Sequence, residues 1–315
     1  MRIYVIGIGD AGLNIISRMK LRGINSNVVK TIVLGSTYNS LVGALADHKI
    51  LLQTPMLGHG SGGRPEIGER AILLAKDKIL DLIQDPDFIF IVAGMGGGTG
   101  TGGAPALAKL LRENMPYAVI IGVATYPFRF ERARLKTASE GIQRFMQYVN
   151  TLVLIDNNKL MEYFPNLSIS KAFEMVDNVV INAVDGLVSV LSEVSLINVD
   201  LADMRALLSK GGLIMISIGQ GSGTDRVKKA IESTLSHPLL NIDYEGAKGA
   251  IIHLTISPDV QLGEVSEVAN SLTRGIVEMG EVKMGVRIKE DLKDTIQVIM
   301  FSVGVKSPQL LGEEG

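Results

Sequence analysis

The sequence predicts an α/β fold in which a Rossmann-like parallel-sheet domain is joined by a long central helix to a smaller α/β C-terminal domain. Three observations predict it. Short apolar strands alternate with helices in the first half of the chain, a pattern typical of a parallel sheet covered on both faces. One long apolar helix follows at about residues 170–193. A second group of strands and helices then occupies residues 194–305.

Composition limits the class of protein. The chain has 315 residues, 46% hydrophobic and 20% charged, with a net charge of −2, which describes an ordered globular protein. No block of basic residues suggests a nucleic-acid partner. Cysteine is absent and the four histidines are scattered, so we predict no protein metal site. We identify no apolar run of the ~20 residues that a membrane span needs. We therefore expect a cytoplasmic protein without direct membrane insertion.

The first domain, residues 1–169, is expected to alternate strands and helices. Its strands are predicted at Ile3–Ile6, Val29–Leu34, Ile50–Gln53, Phe88–Ala93, Ala118–Ala124 and Thr151–Ile155. Its helices are predicted at Ala11–Leu21, Glu66–Gln84, Ala104–Arg112 and Arg134–Tyr148.

The central helix, residues 170–193, repeats apolar residues every three or four positions and is apolar on most sides, as expected of a helix buried between layers. The C-terminal domain, residues 194–305, is predicted to contain the strands Leu213–Ile218, Ala250–Ile256, Lys283–Ile288 and Thr295–Val303 and the helices Asp225–Ser236 and Val265–Glu278. A short polar tail, residues 306–315, follows.

A run of five glycines and two threonines, residues 96–102, is the strongest functional signal. We expect a loop rather than a strand or a helix interior, because glycine loses the most backbone entropy there. An apolar strand precedes the run and a helix follows, a layout in which backbone N–H groups surround a phosphate. A flexible linker is disfavoured by these flanking elements. The spacing is not that of a P-loop, since no lysine follows.

A second glycine motif, Gly7-Ile8-Gly9-Asp10-Ala11-Gly12, follows the first strand and opens a helix. This G-x-G-x-x-G pattern is also found in NAD(P) enzymes, which place an acidic residue at the end of the second strand. Here that end is Gly35-Ser36-Thr37, without an acid. Two glycine loops at one sheet edge favour a nucleoside di- or triphosphate instead.

The run G-G-G-T-G-T-G matches the signature of the tubulin/FtsZ family at every position, and the chain resembles FtsZ over nearly its whole length. Further similar segments are the glycine stretch 58–68, Pro127-Phe128-Arg129-Phe130-Glu131, Gly246-Ala247-Lys248-Gly249 and Pro258-Asp259. The resemblance implies a cytoskeletal GTPase of cell division that binds GTP or GDP and assembles head to tail. It also implies Mg²⁺, held mainly by the nucleotide, and a location at the division site.

The resemblance also implies the residues that bind the nucleotide. Asp177 would accept hydrogen bonds from guanine and Phe173 would stack on the base. Arg134 would contact a phosphate, the alternative being a surface arginine on the first turn of a helix. Arg64, where FtsZ usually has Asn or Asp, would add charge at the phosphates or be solvated. The implied nucleotide-binding residues are Gly9, Asp10, Ala11, Asn14, Gly60, Gly62, Gly94, Met95, Gly96, Gly97, Gly98, Thr99, Gly100, Thr101, Gly102, Pro127, Glu131, Arg134, Asn157, Phe173 and Asp177.

The catalytic residues implied by the family lie elsewhere, in the pattern N-x-D-x-x-D formed by Asn198, Asp200 and Asp203. The two aspartates would polarise a water that attacks the γ-phosphate of GTP held by the next subunit, so hydrolysis would depend on assembly. Capping the following helix is a second role for the same acids and is compatible with the first.

Four departures from the family pattern indicate a divergent member, for instance an archaeal one. Asp10 replaces a glycine of the first loop, Gly35-Ser36-Thr37 replaces N-T-D, the glycine after Glu131 is missing, and the N-terminal extension and long linker are absent. The alternative function is a non-hydrolysing relative that acts as a scaffold or regulator of filaments. The tail segment Ser307–Leu311 is interpreted as a peptide that binds a membrane-tethering division protein, or else as an unstructured end.

Overall fold

The computed structural model describes residues 1–55, 60–192, 195–236 and 245–306. The chain divides into two units, Met1–Ile181 and Asn182–Gly315. The longest helix, Ile169–Ser192, begins in the first unit and ends in the second. Its bounds agree with the predicted central helix to within one residue.

The sheet of the first unit is parallel, and its strands follow the order β3-β2-β1-β4-β5-β6. Every predicted strand is present, most of them longer at the carboxyl end. The strands are β1 Ile3–Ile8, β2 Val29–Gly35, β3 His48–Leu51, β4 Phe88–Gly94, β5 Val119–Tyr126 and β6 Thr151–Asp156. The strand order reverses direction between β1 and β4, and open α/β sheets bind ligands at such a point.

Helices connect these strands. They are α1 Gly9–Leu21, α2 Tyr38–Gly43, α3 Pro65–Leu74, α4 Lys76–Leu82, α5 Gly98–Asn114, α6 Arg132–Met146, α7 Asn157–Tyr163 and α8 Ile169–Ser192. The single helix predicted at Glu66–Gln84 was wrong, because the backbone leaves helical geometry at Ala75 and separates α3 from α4. The short helices α2 and α7 were not predicted.

The expectation that the glycine run excludes a helix was also wrong, since α5 begins at Gly98 and its first turns hold the rest of the run. Packing explains these glycines. A Cβ at Gly102 would lie 1.8 Å from the carbonyl oxygen of Pro65, and one at Gly98 would lie 2.4 Å from Ser61 Oγ. The glycines therefore let α3 and the loop before it approach α5 closely. Within the run 96–102, only Gly96 has a left-handed backbone, at φ +101°.

The strands of the second unit follow the order β7-β10-β8-β9, in which β10 is antiparallel to both neighbours and β8 is parallel to β9. The elements are α9 Leu201–Leu208, β7 Leu213–Ser222, α10 Arg226–Leu235, β8 Ala247–Ile256, α11 Leu262–Thr273, β9 Ile276–Ile288 and β10 Thr295–Val305. The helix predicted to reach Glu278 ends at Thr273, and residues 276–278 begin β9 instead. The core lies between the sheet and helices α10 and α11.

The expectation that no apolar run reaches the ~20 residues of a membrane span is wrong for helix α8. Among the described residues, its segment Ser170–Ser192 is long and apolar enough to cross a membrane, with a mean hydropathy of 1.4. Half of the apolar window is buried inside the protein, as in the core helix of a globular domain. The valines that make this helix apolar on most sides also raise the hydropathy of the segment.

Candidate functional site

A cavity of about 1110 Å³ opens at the carboxyl edge of the parallel sheet in the first unit. The residues that follow β1, β2, β4, β5 and β6 all contribute to its wall, because parallel strands end at the same edge. Its volume reaches the upper end of the roughly 300–1,000 Å³ typical of small-ligand pockets. The cavity can therefore hold a ligand as large as a nucleotide.

Two helices begin at this cavity, α1 at Gly9 and α5 at Gly98. Among the described residues, no side chain caps the N-terminus of either helix. The first backbone N–H groups of a helix lack partners within the helix, and the helix dipole makes this end positive. Two uncapped helix N-termini in one cavity offer the N–H donors and the positive potential that suit an anion such as a di- or triphosphate.

A chain of hydroxyl groups joins three of the loops around these N-termini. Ser36 Oγ and Thr99 Oγ1 are 2.7 Å apart, and Thr99 Oγ1 donates to Ser61 Oγ at 3.0 Å. All three residues are buried and line the cavity. Thr101 Oγ1 accepts a hydrogen bond from the backbone N–H of Gly96 at 2.8 Å, which holds the glycine loop in its turn. The hydroxyl groups therefore fix the loops that the anion would contact.

The other part of the cavity is aromatic and acidic. Asp177 of α8 is only 4% exposed and forms an ion pair with Arg18 of α1. The rings of Phe128 and Phe173 meet edge to face with centroids 6.5 Å apart, and Phe130 stacks on Phe128 at 5.1 Å. All five residues line the cavity. Aromatic faces beside a buried carboxylate suit a flat, polar ring such as a nucleobase.

Two asparagines follow β6, and they differ in what they bond. Asn158 is buried; its side chain donates to Pro127 O and Asp156 Oδ1 and accepts from Arg129 N, so it ties together the loops after β5 and β6. Asn157 lines the cavity, and its buried Oδ1 has no hydrogen-bond partner among the described residues. A buried polar atom without a partner costs free energy, which a donor from a ligand would offset at this position.

Arg134 lies in the first turn of α6 and lines the cavity, with Nη1 2.6 Å from Glu131 Oε2. Glu131 Oε1 also accepts from Phe128 N at 3.2 Å. Glu131 thus connects the loop after β5 to the arginine, although the family's glycine after this residue is missing. Arg64 is exposed and does not line the cavity; its backbone packs on Gly98.

The structure brings most of the predicted nucleotide residues together. Those that line the cavity are Gly9, Asp10, Ala11, Asn14, Gly60, Gly94, Met95, Gly97, Gly98, Thr99, Gly100, Pro127, Glu131, Arg134, Asn157, Phe173 and Asp177. The predicted residues that do not line it are Gly62, Gly96, Thr101 and Gly102. Of these, Gly96, Thr101 and Gly102 shape and pack the loop, as described above. Gly58 and the tail segment Ser307–Leu311 lie outside the described residues.

Sequence reasoning missed Arg18, Ser36, Thr37, Ser61 and Thr125, which also line the cavity. A signal for two of them was available. Ser36 and Thr37 directly follow a parallel strand, so they had to lie at the edge where the glycine loops lie. No sequence signal connects Arg18 to Asp177, which is 159 positions away.

The predicted catalytic residues lie in the second unit and do not line the cavity. Asp200 is the N-cap of α9; its Oδ1 accepts from Asp203 N at 2.7 Å, while Asp203 Oδ2 accepts from Asp200 N at 3.3 Å. The predicted capping role is confirmed by this capping box. Asn198 Oδ1 accepts from Ser195 N at 3.0 Å and fixes the turn before the acids. The hydrogen bond and charge of Lys283 lower the pKa of Asp203, with Nζ 3.1 Å from Oδ1.

A buried histidine supports the same loop. His253 of β8 is 1% exposed, and its Nε2 lies 3.1 Å from Ser195 Oγ. Nδ1 is buried and has no hydrogen-bond partner within the described part of the chain. Burial, together with the positive charge of Arg287, lowers the pKa of His253 to about 4, so the imidazole is neutral at pH 7. No group of three or more His, Asp or Glu side chains within the described part of the chain is placed to hold a metal ion.

Comparison with known proteins agrees with this geometry. The model of the Tubulin/FtsZ family, GTPase domain, matches residues 2–165, and that of the FtsZ family, C-terminal domain, matches residues 212–306. Cell division protein FtsZ 2 of Methanocaldococcus jannaschii is 42% identical over 99% of this chain and 82% of its own length. FtsZ 1 of the same organism is 40% identical over 97% of this chain and 84% of its own.

Solved structures are similar over the same length. An empty FtsZ dimer from M. jannaschii has a TM-score of 0.84 at 40% identity, covering 96% of this chain and 88% of its own. A CetZ2 protofilament with bound GTPγS from Haloferax volcanii has a TM-score of 0.83 at 19% identity, covering 99% and 96%. At 19% identity, the similarity to CetZ2 concerns the fold alone.

Proposed function

Because this chain belongs to the tubulin/FtsZ family, we propose that it is a GTPase of cell division that assembles head to tail into filaments and hydrolyses GTP where two subunits meet. The family supplies guanine-nucleotide binding and a GTPase domain. The observation that supports the site most strongly is the pair of uncapped helix N-termini, α1 and α5, in one nucleotide-sized cavity.

In this proposal the phosphates lie against the first turns of α1 and α5, where backbone N–H groups donate to them. Arg134 adds a cationic donor that offsets the charge of the terminal phosphates. The base lies between Phe173 and Asp177, and Asn14 and Asn157 complete its hydrogen bonds. The partnerless Oδ1 of Asn157 supports this placement.

Mg²⁺ is proposed to be held mainly by phosphate oxygens, since the described residues offer no cluster of metal ligands. When bound, it would offset the negative charge of the triphosphate. Asp10, exposed and at the cavity in the first turn of α1, is the carboxylate best placed to assist it.

The proposed catalytic acids, Asp200 and Asp203, act on the nucleotide of a neighbouring copy. The capping box and Asn198 hold both carboxylates in fixed positions, so no rearrangement is needed to orient them. One carboxylate accepts the proton of a water whose oxygen attacks the γ-phosphorus, and GDP leaves. A site made of two different faces is a heterologous contact, and repeating it produces an open filament.

The remaining parts of the proposal concern partners and place. The self-association of a relative, seen in the FtsZ dimer, supports a homopolymer. We propose that the tail binds a membrane-tethering division protein, although residues 307–315 lie outside the described structure. The protein would then act in the cytoplasm at the division site.

Phosphate release and sedimentation, measured together over a range of protein concentrations with GTP, test the proposal. Release per subunit should rise with the sedimented fraction and vanish below the assembly threshold. Asp200→Asn should bind GTP and sediment but release phosphate about a hundredfold more slowly. Bound GTP without turnover in the unaltered chain would favour the non-hydrolysing scaffold, and turnover independent of concentration would contradict the shared site.

A mixing experiment tests the shared site directly. Asp200→Asn has an intact pocket without its catalytic acid, and Asp177→Ala has intact acids with a weakened pocket. In mixed filaments about one interface in four joins an intact pocket to an intact acid loop, so release should reappear in the mixture. Sedimentation of both variants verifies that they assemble together. Co-sedimentation without restored release would place the whole site within one chain.

A further inference from the structure

Two ion pairs connect α1 to α8, and only one of them belongs to the cavity. Arg18 pairs with Asp177, and both line the cavity wall. Arg22, the C-cap residue of α1, lies 3.9 Å from Glu174, which is one turn before Asp177 in α8, and neither residue lines the wall. The first pair is half-buried, since Asp177 is 4% exposed, whereas the second is open to solvent. The two pairs therefore differ in what they can contact.

The position of Arg18 along α1 shows which part of a ligand it would meet. The helix begins at Gly9, at the anion-binding end of the cavity. Nine residues at 1.5 Å each place Arg18 about 13 Å further along the axis, and Asn14 lies about 7 Å along it. That distance matches the extent of a nucleotide from its phosphates to its base. Arg18 and Asp177 thus lie at the base end.

The chemistry of the pair is complementary to guanine. A carboxylate accepts from the N1–H and 2-amino groups, as proposed for Asp177. The carbonyl oxygen at C6 is next to N1, and a guanidinium has five N–H donors in a rigid fork, enough to bond an Asp177 oxygen and that carbonyl together. Adenine has the reverse order on this edge: its 6-amino donor would face the Arg18 donors, and its unprotonated N1 acceptor would face the Asp177 carboxylate.

The burial of Asp177 is a second reason why this carboxylate needs Arg18 as its partner. An isolated carboxylate with 4% exposure would lose most of its hydration, so it needs a counter-charge. Arg18 supplies that charge from a side chain that is itself 40% exposed and lines the cavity, so its remaining N–H donors are accessible to a ligand. Removing Arg18 would leave Asp177 poorly oriented as well as uncompensated.

We propose that Arg18 is a specificity-determining residue of the nucleotide site: its guanidinium holds the Asp177 carboxylate against the base and donates to the carbonyl oxygen at C6 of guanine. The proposal rests on the proposed function, because it presumes that the base lies at Asp177. It adds a residue from α1 to base recognition and makes the ion pair, rather than the carboxylate alone, the unit that selects guanine.

The test compares Arg18→Gln with the matched control Arg22→Gln, which removes the neighbouring ion pair outside the cavity. Dissociation constants for GTP, ATP and 2-aminopurine riboside triphosphate are measured by displacing a fluorescent GTP analogue, below the assembly threshold. Arg18→Gln should weaken GTP about tenfold or more and shrink the GTP-over-ATP preference, whereas Arg22→Gln should change neither by more than about twofold. The 2-aminopurine nucleotide, which lacks the C6 carbonyl, should lose less affinity than GTP.

Arg18→Lys is the control for a folding defect, because lysine keeps the counter-charge to Asp177 but lacks the planar guanidinium donors. This variant should fold, and its GTP-over-ATP preference should lie between those of the unaltered chain and Arg18→Gln. An unchanged GTP-over-ATP preference in Arg18→Gln would overturn this inference and leave the proposed function intact. Equal losses in Arg18→Gln and Arg22→Gln would also overturn it, since they would show only a link between helices. An unaltered chain without preference for guanine nucleotides would overturn both this inference and the proposed function.

Discussion

The ammonium group of Lys283 lies 3.1 Å from Oδ1 of Asp203, so a cation of β9 partly neutralises one of the two carboxylates that we propose as catalytic. The pair is accessible to solvent, with side-chain exposures of 45% and 26%. Each partner shifts the other: Asp203 raises the pKa of Lys283, and Lys283 lowers that of Asp203. The capping box holds Asp203 independently of the lysine.

Replacing the lysine should therefore make the acid more basic without moving it. In Lys283→Gln we expect phosphate release per sedimented subunit to increase about threefold near neutral pH, because a more basic carboxylate accepts the water proton better. The acid limb of the pH–rate profile should move to higher pH. Lys289→Gln, which breaks an exposed ion pair with Asp291 at 3.5 Å, is the control. A lower rate at equal sedimentation would mean that Lys283 positions Asp203 instead.

His253 should make the stability of the protein depend on pH. Its pKa is lowered to about 4 in the folded chain, and it returns to about 6.5 on unfolding. The unfolded state thus binds the proton first, so this contribution to stability is complete above pH 6.5 and is lost as the pH falls toward 4. The loss amounts to about 3 kcal/mol over that interval.

Urea unfolding at a series of pH values measures this effect. His253→Gln, whose amide can reach Ser195, should lose the pH-dependent part between pH 6.5 and 4, whereas His48→Gln, at an exposed position, should retain it. Parallel curves for the unaltered protein and His253→Gln would show that the imidazole does not titrate as described.

Asp10 should weaken nucleotide binding, because it places a negative charge beside the proposed phosphate site. We expect Asp10→Asn, which keeps the shape and removes the charge, to bind GDP about fivefold more tightly in the absence of Mg²⁺. Titration calorimetry with and without Mg²⁺ measures both cases. With Mg²⁺ present this gain should be smaller or reversed, because the same carboxylate is proposed to assist the metal. Weaker binding of GDP by Asp10→Asn without Mg²⁺ would contradict the expected repulsion.

Glycines at the start of α5 should differ in how much stability is lost when they are replaced by alanine. A methyl group at Gly102 would approach the Pro65 carbonyl oxygen to 1.8 Å, so Gly102→Ala should lower the free energy of unfolding by about 3 kcal/mol. A Cβ at Gly97 meets no described atom within 4 Å and the backbone has φ −89°, so Gly97→Ala should change stability by less than about 0.5 kcal/mol. Equal effects in chemical denaturation would contradict this account of the packing.

The sequence predicted those parts of the fold that depend on local patterns. Continuous apolar runs located every strand, and the glycine loops, Asp177 and Asn157 lie together at the cavity as expected. The parts that failed depend on distant contacts. The glycine run forms the first turns of α5, and its Gly102 leaves room for Pro65, a contact that periodicity does not show. Arg18 pairs with Asp177, which is 159 positions away, and Lys283 of β9 pairs with Asp203 of α9.

The two uncapped helices have a consequence for the empty chain. Until an anion arrives, the positive ends of α1 and α5 face the same cavity, and each raises the electrostatic cost of the other. A nucleotide would remove that cost, so its free energy of binding adds to the free energy of folding by mass action. The free energy of unfolding would then rise with the concentration of guanine nucleotide.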